Sequence, residues 1–240
     1  MKKKSQLAMS IAAAIFILII AALVFYVAGY YKKNKAEPLV FERASIENYI
    51  NSCVKKTAED GLLLLGKRGS MFPENSLKAK NTDVEYFYDN GNKVPTIDKL
   101  QNGPSSYIDS NLAGCLNDFE DFRKQGWDVE KGSVSTKTQI NHEDVTFEVD
   151  FPIKVSSNEA SINFEKFASR VNVRLKYIHE LANKIVDFSA KYKRHVDMST
   201  LNDYNVDVTV IDYEGALIYS IKDSKSMIMG KPYVFRFAVK

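Results

Sequence analysis

The chain has 240 residues, 45% of them hydrophobic and 12% aromatic, which excludes a disordered chain and leaves ample material for a buried core. Its 33 Lys+Arg exceed its 30 Asp+Glu only through Lys2, Lys3 and Lys4, so the 209 residues after Tyr31 are neutral and offer no cationic footprint for nucleic acid. Two cysteines are too few for a disulfide-dense scaffold or a four-thiolate zinc site.

Residues 1–6 form a basic tail, and Leu7 to Tyr31 follows as 25 residues without a charge. As a helix this run spans roughly 37 Å, enough to cross a hydrocarbon core of about 30 Å, with Tyr26, Tyr30 and Tyr31 placed as an interfacial anchor. The apolar stretch exceeds the 7–15 residues of a cleaved signal's core, so retention as a single-pass anchor is expected over cleavage near Val27-Ala28-Gly29. Flanking lysines (Lys2–Lys4 against Lys32, Lys33 and Lys35) nearly balance. A short tail before a first apolar helix favours a cytoplasmic N terminus and an extracytoplasmic remainder.

Residues 32–43 read as a linker in which Pro38 stops the membrane helix. Ser45 then caps an amphipathic helix with Ile46, Tyr49, Ile50, Cys53, Val54, Thr57 and Ala58 on its apolar stripe, expected to end between Gly61 and Gly66. Tyr86-Phe87-Tyr88 before Asp89-Asn90-Gly91 predicts a hairpin turn, and Thr96 a single capped turn. A second helix is expected from Ser105 or Ser106, after Gly103-Pro104, to Gly126; its stripe is Ile108, Leu112, Cys115, Leu116, Phe119 and Phe122.

From about residue 128 the period becomes two. Val145, Phe147, Val149, Phe151, Ile153 and Val155 alternate with polar residues, predicting a half-buried antiparallel strand with Pro152 near an edge and a partner at 134–140. Further strands are expected at 162–164, 167–173, 206–212, 217–222 and 233–239, with Glu214-Gly215 as a turn. Leu175, Ile178, Leu181, Ile185, Phe188 and Tyr192 mark one long helix. The expected class is α+β: a transmembrane helix, then an ectodomain of two amphipathic helices packed with a mainly antiparallel sheet and one long helix. It divides into a helical subdomain (44–126) and a sheet-plus-helix subdomain (127–240).

Cys53 and Cys115 each sit on an apolar helical stripe, and two such helices packed face to face would bring them together. In an oxidising exterior they would form a disulfide closing a loop of 62 residues; the alternative is a pair of buried, reduced cysteines. Catalytic, cofactor and metal residues are not identified. His142 sits in a turn, His179-Glu180 lacks the second histidine of a zinc-protease helix because Asn183 stands there, and His195 is a helix-terminal cation. The acidic cluster Asp118, Glu120 and Asp121 lacks the alternating oxygen ligands of a calcium loop.

Lys3-Lys4-Ser5-Gln6 directly before Leu7 resembles an archaeal prepilin-type (class III) signal. That resemblance implies cleavage between Ser5 and Gln6 and assembly into filaments; Ser10 stands at the fifth mature position, where many pilins place Glu. More broadly, three features resemble uncharacterised single-pass membrane proteins of small-genome archaea. They are Tyr49-Ile50-x-x-Cys53-Val54 leading to Gly66, Cys115-Leu116-x-x-Phe119, and Val206-x-Val208-Thr209-Val210-Ile211. This implies an envelope location and no assigned activity. The leading expectation is a membrane-anchored, non-enzymatic extracytoplasmic protein that needs no cofactor and engages the bilayer and a protein partner or itself. A pilin-like filament subunit and a ligand-binding sensor or hydrolase ectodomain are the alternatives.

Overall fold

The computed structural model describes the backbone of residues 2–157, 160–192, 201 and 204–240, and side chains among these except at 2–16 and 28–42. The chain divides into two compact units, Met1–Asn48 and Tyr49–Lys240.

Helix α1 (Lys2–Arg68) is a single 67-residue helix. It supplies the described backbone of the first unit and the opening element of the second. The expected linker at 32–43 is therefore helical, and Pro38 does not stop it. A proline inside a helix removes one hydrogen bond and crowds the carbonyl four residues before it, a cost of about 3 kcal/mol that does not end the helix here among flanking helix formers such as Lys35, Ala36, Glu37 and Leu39. Ser45 lies inside the helix rather than capping it. From Ile17 to Val27 every described side chain is exposed. Among the described residues no helix is long and apolar enough to cross a membrane; that statement takes in 17–27 of the apolar run, while the side chains of 7–16 and 28–31 lie outside it.

Tyr49–Lys240 is an α+β unit. Two strands, β1 (Ser76–Ala79) and β2 (Thr82–Tyr88), follow α1, and then α2 (Ile97–Leu116) and the short α3 (Glu120–Lys124). Strands β3 (Asp128–Lys131), β4 (Ser135–Ile140), β5 (Val145–Ser156) and β6 (Ser161–Val171) come next. Helix α4 (Leu175–Tyr192) precedes β7 (Asp207–Tyr213), β8 (Ala216–Ile228) and β9 (Lys231–Val239).

Two sheets result. One has the order β1-β2-β9-β8-β7; in the other, β5 pairs with β3, β4 and β6. Every named pair is antiparallel except β2 with β9, where Tyr86 opposes Ala238 and Tyr88 opposes Val239 in parallel. That pairing joins the N-terminal half of the unit to its last strand, so the expected division near residue 126 is not where the chain separates.

Strand β5 reads as expected: Val145, Phe147, Val149, Phe151, Ile153 and Val155 are all buried. It is a central strand, however, not an edge. Pro152 falls where β5 passes from β4 (residues 145–150) to β3 (153–156) and where its register with β6 shifts, so no ladder bond needs its missing N–H. Its carbonyl still accepts from the Gly132 N–H, 2.8 Å away. The two strands expected at 162–164 and 167–173 are one strand, β6, which runs opposite a bulge in β5 between Asp150 and Ile153.

Helix α2 starts earlier than expected. The Thr96 hydroxyl caps it through the Lys99 N–H, and Gly103-Pro104 lies inside it. Proline disfavours a helical residue before it mainly by crowding that residue's Cβ and N–H, and Gly103 has no Cβ. The helix stops at Leu116, short of Gly126, where Asn117, Asp118 and Phe119 take left-handed backbone angles before α3.

The core lies between the sheets and helices. Phe87 stacks on Phe237 (4.7 Å) and Phe237 on Tyr219 (5.2 Å), while α4 buries Leu175, Ile178, Leu181, Ala182, Ile185 and Val186. The turns at Glu214-Gly215 and Met229-Gly230 have positive φ at both positions, the geometry that matches strand twist in two-residue hairpins.

Candidate functional site

The chemistry-bearing residues fall into four places in the Tyr49–Lys240 unit. The first is the junction of α1 with α2. Cys53 and Cys115 lie at disulfide distance, Sγ to Sγ 2.17 Å with Cα atoms 5.6 Å apart, bridging 62 residues. Around them the Tyr49 hydroxyl donates to the Leu116 carbonyl (2.9 Å), and its ring packs edge-on against Phe119 and Phe122 at 5.9 and 5.3 Å. A Cβ on Gly61 would lie 3.0 Å from the Tyr107 ring, so the helices approach closely where one side chain is missing. The same device recurs on β9, where a Cβ on Gly66 or Gly69 would meet the Val234 or Arg236 carbonyl at 2.4 Å. Gly61 and Gly66 lie inside α1, which runs to Arg68 rather than ending between them because close packing outweighs their low helix propensity, whereas Gly69, at positive φ, follows its end.

The second place is the seam between α2 and the outer edge of β4. The Ile140 N–H donates to Gln101 Oε1 (3.1 Å), the Thr138 N–H donates to Ser105 Oγ (3.1 Å), and the two hydroxyls of Ser105 and Thr138 are 2.8 Å apart. One helical turn thus matches two strand residues, and a polar helix stripe covers a sheet edge that would otherwise expose unpaired donors. Continuing that register aligns Asp109 with Thr136. Their Oδ1 and Oγ1 atoms are buried without a hydrogen-bond partner.

The third is a buried ion pair at the start of α4. Arg174 grips Asp223 with two bonds, Nε to Oδ2 at 2.9 Å and Nη2 to Oδ1 at 2.7 Å. The Ser226 hydroxyl and the Lys225 N–H donate to the same carboxylate, and the Arg174 N–H donates to Ser226 Oγ at 2.9 Å. A register shift between Asp223 and Met227 bulges β8 and turns both acceptors toward α4. Burial alone would raise the Asp223 carboxyl, but the bonds from Arg174, Ser226 and Lys225 outweigh it and leave it below the usual range. Nearby, His179 is buried with Nε2 donating to the Pro95 carbonyl (2.8 Å), and Asn183 is 3.3 Å from Nδ1. Burial holds its pKa below the ordinary value, against the opposing pull of Pro95 and Glu180.

The fourth is a cleft of about 400 Å³ between residues 70–74 and the first turns of α2, lined by Ser70, Met71, Phe72, Asp98, Asn102 and Ser106 among others. At its mouth Lys99 Nζ pairs with Glu74 Oε1 at 2.9 Å.

The remaining expected residues are dispersed. His142 is exposed beside Lys176 (3.3 Å), and His195, Ser5 and Gln6 lie outside the residues whose side chains are described. Two members of the acidic cluster are paired. Asp118 pairs with Lys131 and Arg123, and Glu120 with Lys124; the Lys131 bond is the main reason the Asp118 carboxyl is lowered. Among the described residues no cluster of three His, Cys, Asp or Glu side chains could hold a metal ion. Sequence reading missed the Arg174–Asp223 pair, which joins residues 49 apart, and the cleft, whose residues carry no spacing motif. No protein-family model, curated protein or solved structure matches this chain.

Proposed function

We propose that this chain is a membrane-anchored extracytoplasmic protein. Leu7–Tyr31 sits in the bilayer and the α+β unit works outside the cell by binding rather than by catalysis. The observation that carries this reading is the stretch Ile17–Val27, a helix apolar on every side with all of its described side chains exposed, Phe25 at 81%. A helix without a polar face needs cover from lipid or from other apolar helices. The Cys53–Cys115 pair supports an oxidising location for the rest of the chain, since such bonds persist outside the cytosol.

The intact mass from native membranes, with and without reduction before alkylation, tests the proposal together with protease access from outside. Full-length chain in the membrane fraction, thiols blocked until reduction and the α+β unit cleavable in intact cells, is the expected result. Free thiols and protection from external protease overturn it.

A second reading, a pilin-like filament subunit, draws support from α1. Its unbroken course through Pro38 gives one long helix whose apolar N-terminal part can pack against copies of itself. Loss of residues 1–5 from the mature mass and recovery of the chain in sheared filaments distinguish it from a solitary anchor.

A further inference from the structure

The cleft beside the start of α2 has a composition that neither a packing role nor the anchor accounts for, and we infer that it binds a pyranose sugar residue. Phe72 stands at its rim 62% exposed, among the most exposed aromatic side chains of the Tyr49–Lys240 unit, whereas Met71 next to it is buried and forms part of the wall. A solvated phenyl ring offers the flat, electron-rich face on which the C–H side of a pyranose rests. With it the lining includes short neutral donors and acceptors (Ser70, Thr96, Asn102, Ser106) and the carboxylate of Asp98, whose Oδ1 accepts from Gln101 at 3.5 Å. The other two charges of the lining, Glu74 and Lys99, are paired with each other, which leaves Asp98 as its one uncompensated charge, a carboxylate that disfavours anions and can accept from a sugar's hydroxyls.

The wall is fixed rather than collapsible. A Cβ on Gly103 would lie 2.6 Å from the Met71 Cβ, so helix and segment touch there, and the Thr96 cap holds the first turn of α2 in place. A volume of about 400 Å³ accommodates one sugar ring with part of a second, within the ordinary range of small-ligand sites. Hydroxyls that both donate and accept suit a polyol's hydroxyls, each of which does the same. The inference concerns only the Tyr49–Lys240 unit and stands whether or not Leu7–Tyr31 is an anchor.

The methionines provide the test. Met71 lines the cleft, and Met227 and Met229 are exposed elsewhere, on the β8–β9 hairpin. The full chain in lipid nanodiscs, with isotope-labelled methionine methyls, is titrated with methyl β-glucoside, methyl α-mannoside and N-acetylglucosamine to about 50 mM, the weak range of single-site sugar contacts. The expected result is a saturable shift of the Met71 methyl by at least one sugar, with Met227 and Met229 unmoved. Phe72→Ala should weaken that binding about three- to tenfold without lowering the melting temperature, because the ring is exposed. Absence of a saturable Met71 shift with all three sugars overturns the inference. Equal shifts of all three methyls overturn it too, as does a Met71 shift with an extended alanine peptide and none with sugars.

Discussion

Gly66 stands so close to Val234 that a Cβ built on it would lie 2.4 Å from that residue's carbonyl oxygen and 2.9 Å from the Tyr233 ring. The contact fixes how α1 lies on β9, and the Tyr233 hydroxyl completes it by donating to the Leu62 carbonyl at 3.1 Å. Burial pushes the Tyr233 hydroxyl far above its ordinary range, so it remains a donor at any working pH. Gly66→Ala should therefore destabilise the fold by about 2–3 kcal/mol, the cost of overpacking where the obstacle is backbone. Gly114 in α2 is the control. A Cβ there meets nothing within 4 Å, and Gly114→Ala should stabilise by about 0.5–1 kcal/mol through helix propensity. Urea unfolding of both variants checks the pair; equal effects would refute the packing argument.

Removing the Cys53–Cys115 link should cost about 4 kcal/mol in the chain-entropy account, given the 62-residue separation. Both cysteines should be changed together, Cys53→Ala with Cys115→Ala, so that no lone thiol remains to pair between molecules. The melting temperature of the double variant should match that of the reduced wild type. If reduction leaves the wild type's melting temperature unchanged, the bond does not contribute in solution.

How much of this was legible beforehand follows from how local each feature is. Strand β5 and helix α4 were readable because their apolar residues repeat at two and at three-to-four over many positions. The cysteine pairing was readable because each thiol falls on an apolar stripe and only two exist. Strands β1 and β3 were not, since Ser76–Ala79 and Asp128–Lys131 are short, largely polar and held by their partners. The course of α1 past Gly61 and Gly66 was hidden for another reason. Glycine lowers helix propensity in the chain itself, and only the packed strand β9 and the Tyr107 ring reveal why it stands there. The Arg174–Asp223 pair and the cleft are products of topology, with no trace in local spacing.

The seam between α2 and β4 separates satisfied from unsatisfied rungs. Ser105→Ala removes the acceptor of the Thr138 N–H and should cost about 1–2 kcal/mol. Thr136→Val removes a buried hydroxyl that has no partner and should be neutral or stabilising by up to about 1 kcal/mol. Denaturant midpoints of the two variants decide it. A loss at Thr136 equal to that at Ser105 would mean that the third rung is bonded in solution.

Breaking one side of the buried ion pair should be severe. Arg174→Met leaves the Asp223 carboxylate buried without its strongest partner, and about 3–5 kcal/mol should be lost; Arg174→Met with Asp223→Leu should recover part of that. The lowered carboxyl also sets a pH signature. A folded-state value below the unfolded one means that its stabilisation is present above the unfolded value and drains away as pH falls through the folded one. The double variant should therefore lose less stability than the wild type on acidification below the ordinary Asp range.

His179 makes a separate window. Its folded value is lowered by burial, so the native state binds fewer protons than the unfolded chain between that value and the ordinary 6.5. Stability from keeping the ring neutral is complete above 6.5 and is lost as pH falls through the folded value. Glu85 runs the other way. Buried, and accepting from the Glu74 N–H at 3.0 Å, it is raised by desolvation, so its contribution weakens as pH rises through its folded value. Subtracting a His179→Gln profile from the wild type isolates the histidine, because Glu85 is common to both. The difference should grow with pH toward neutrality and then flatten. A difference that is flat from about pH 5 to 8 would show that the ring titrates as freely in the fold as in the unfolded chain.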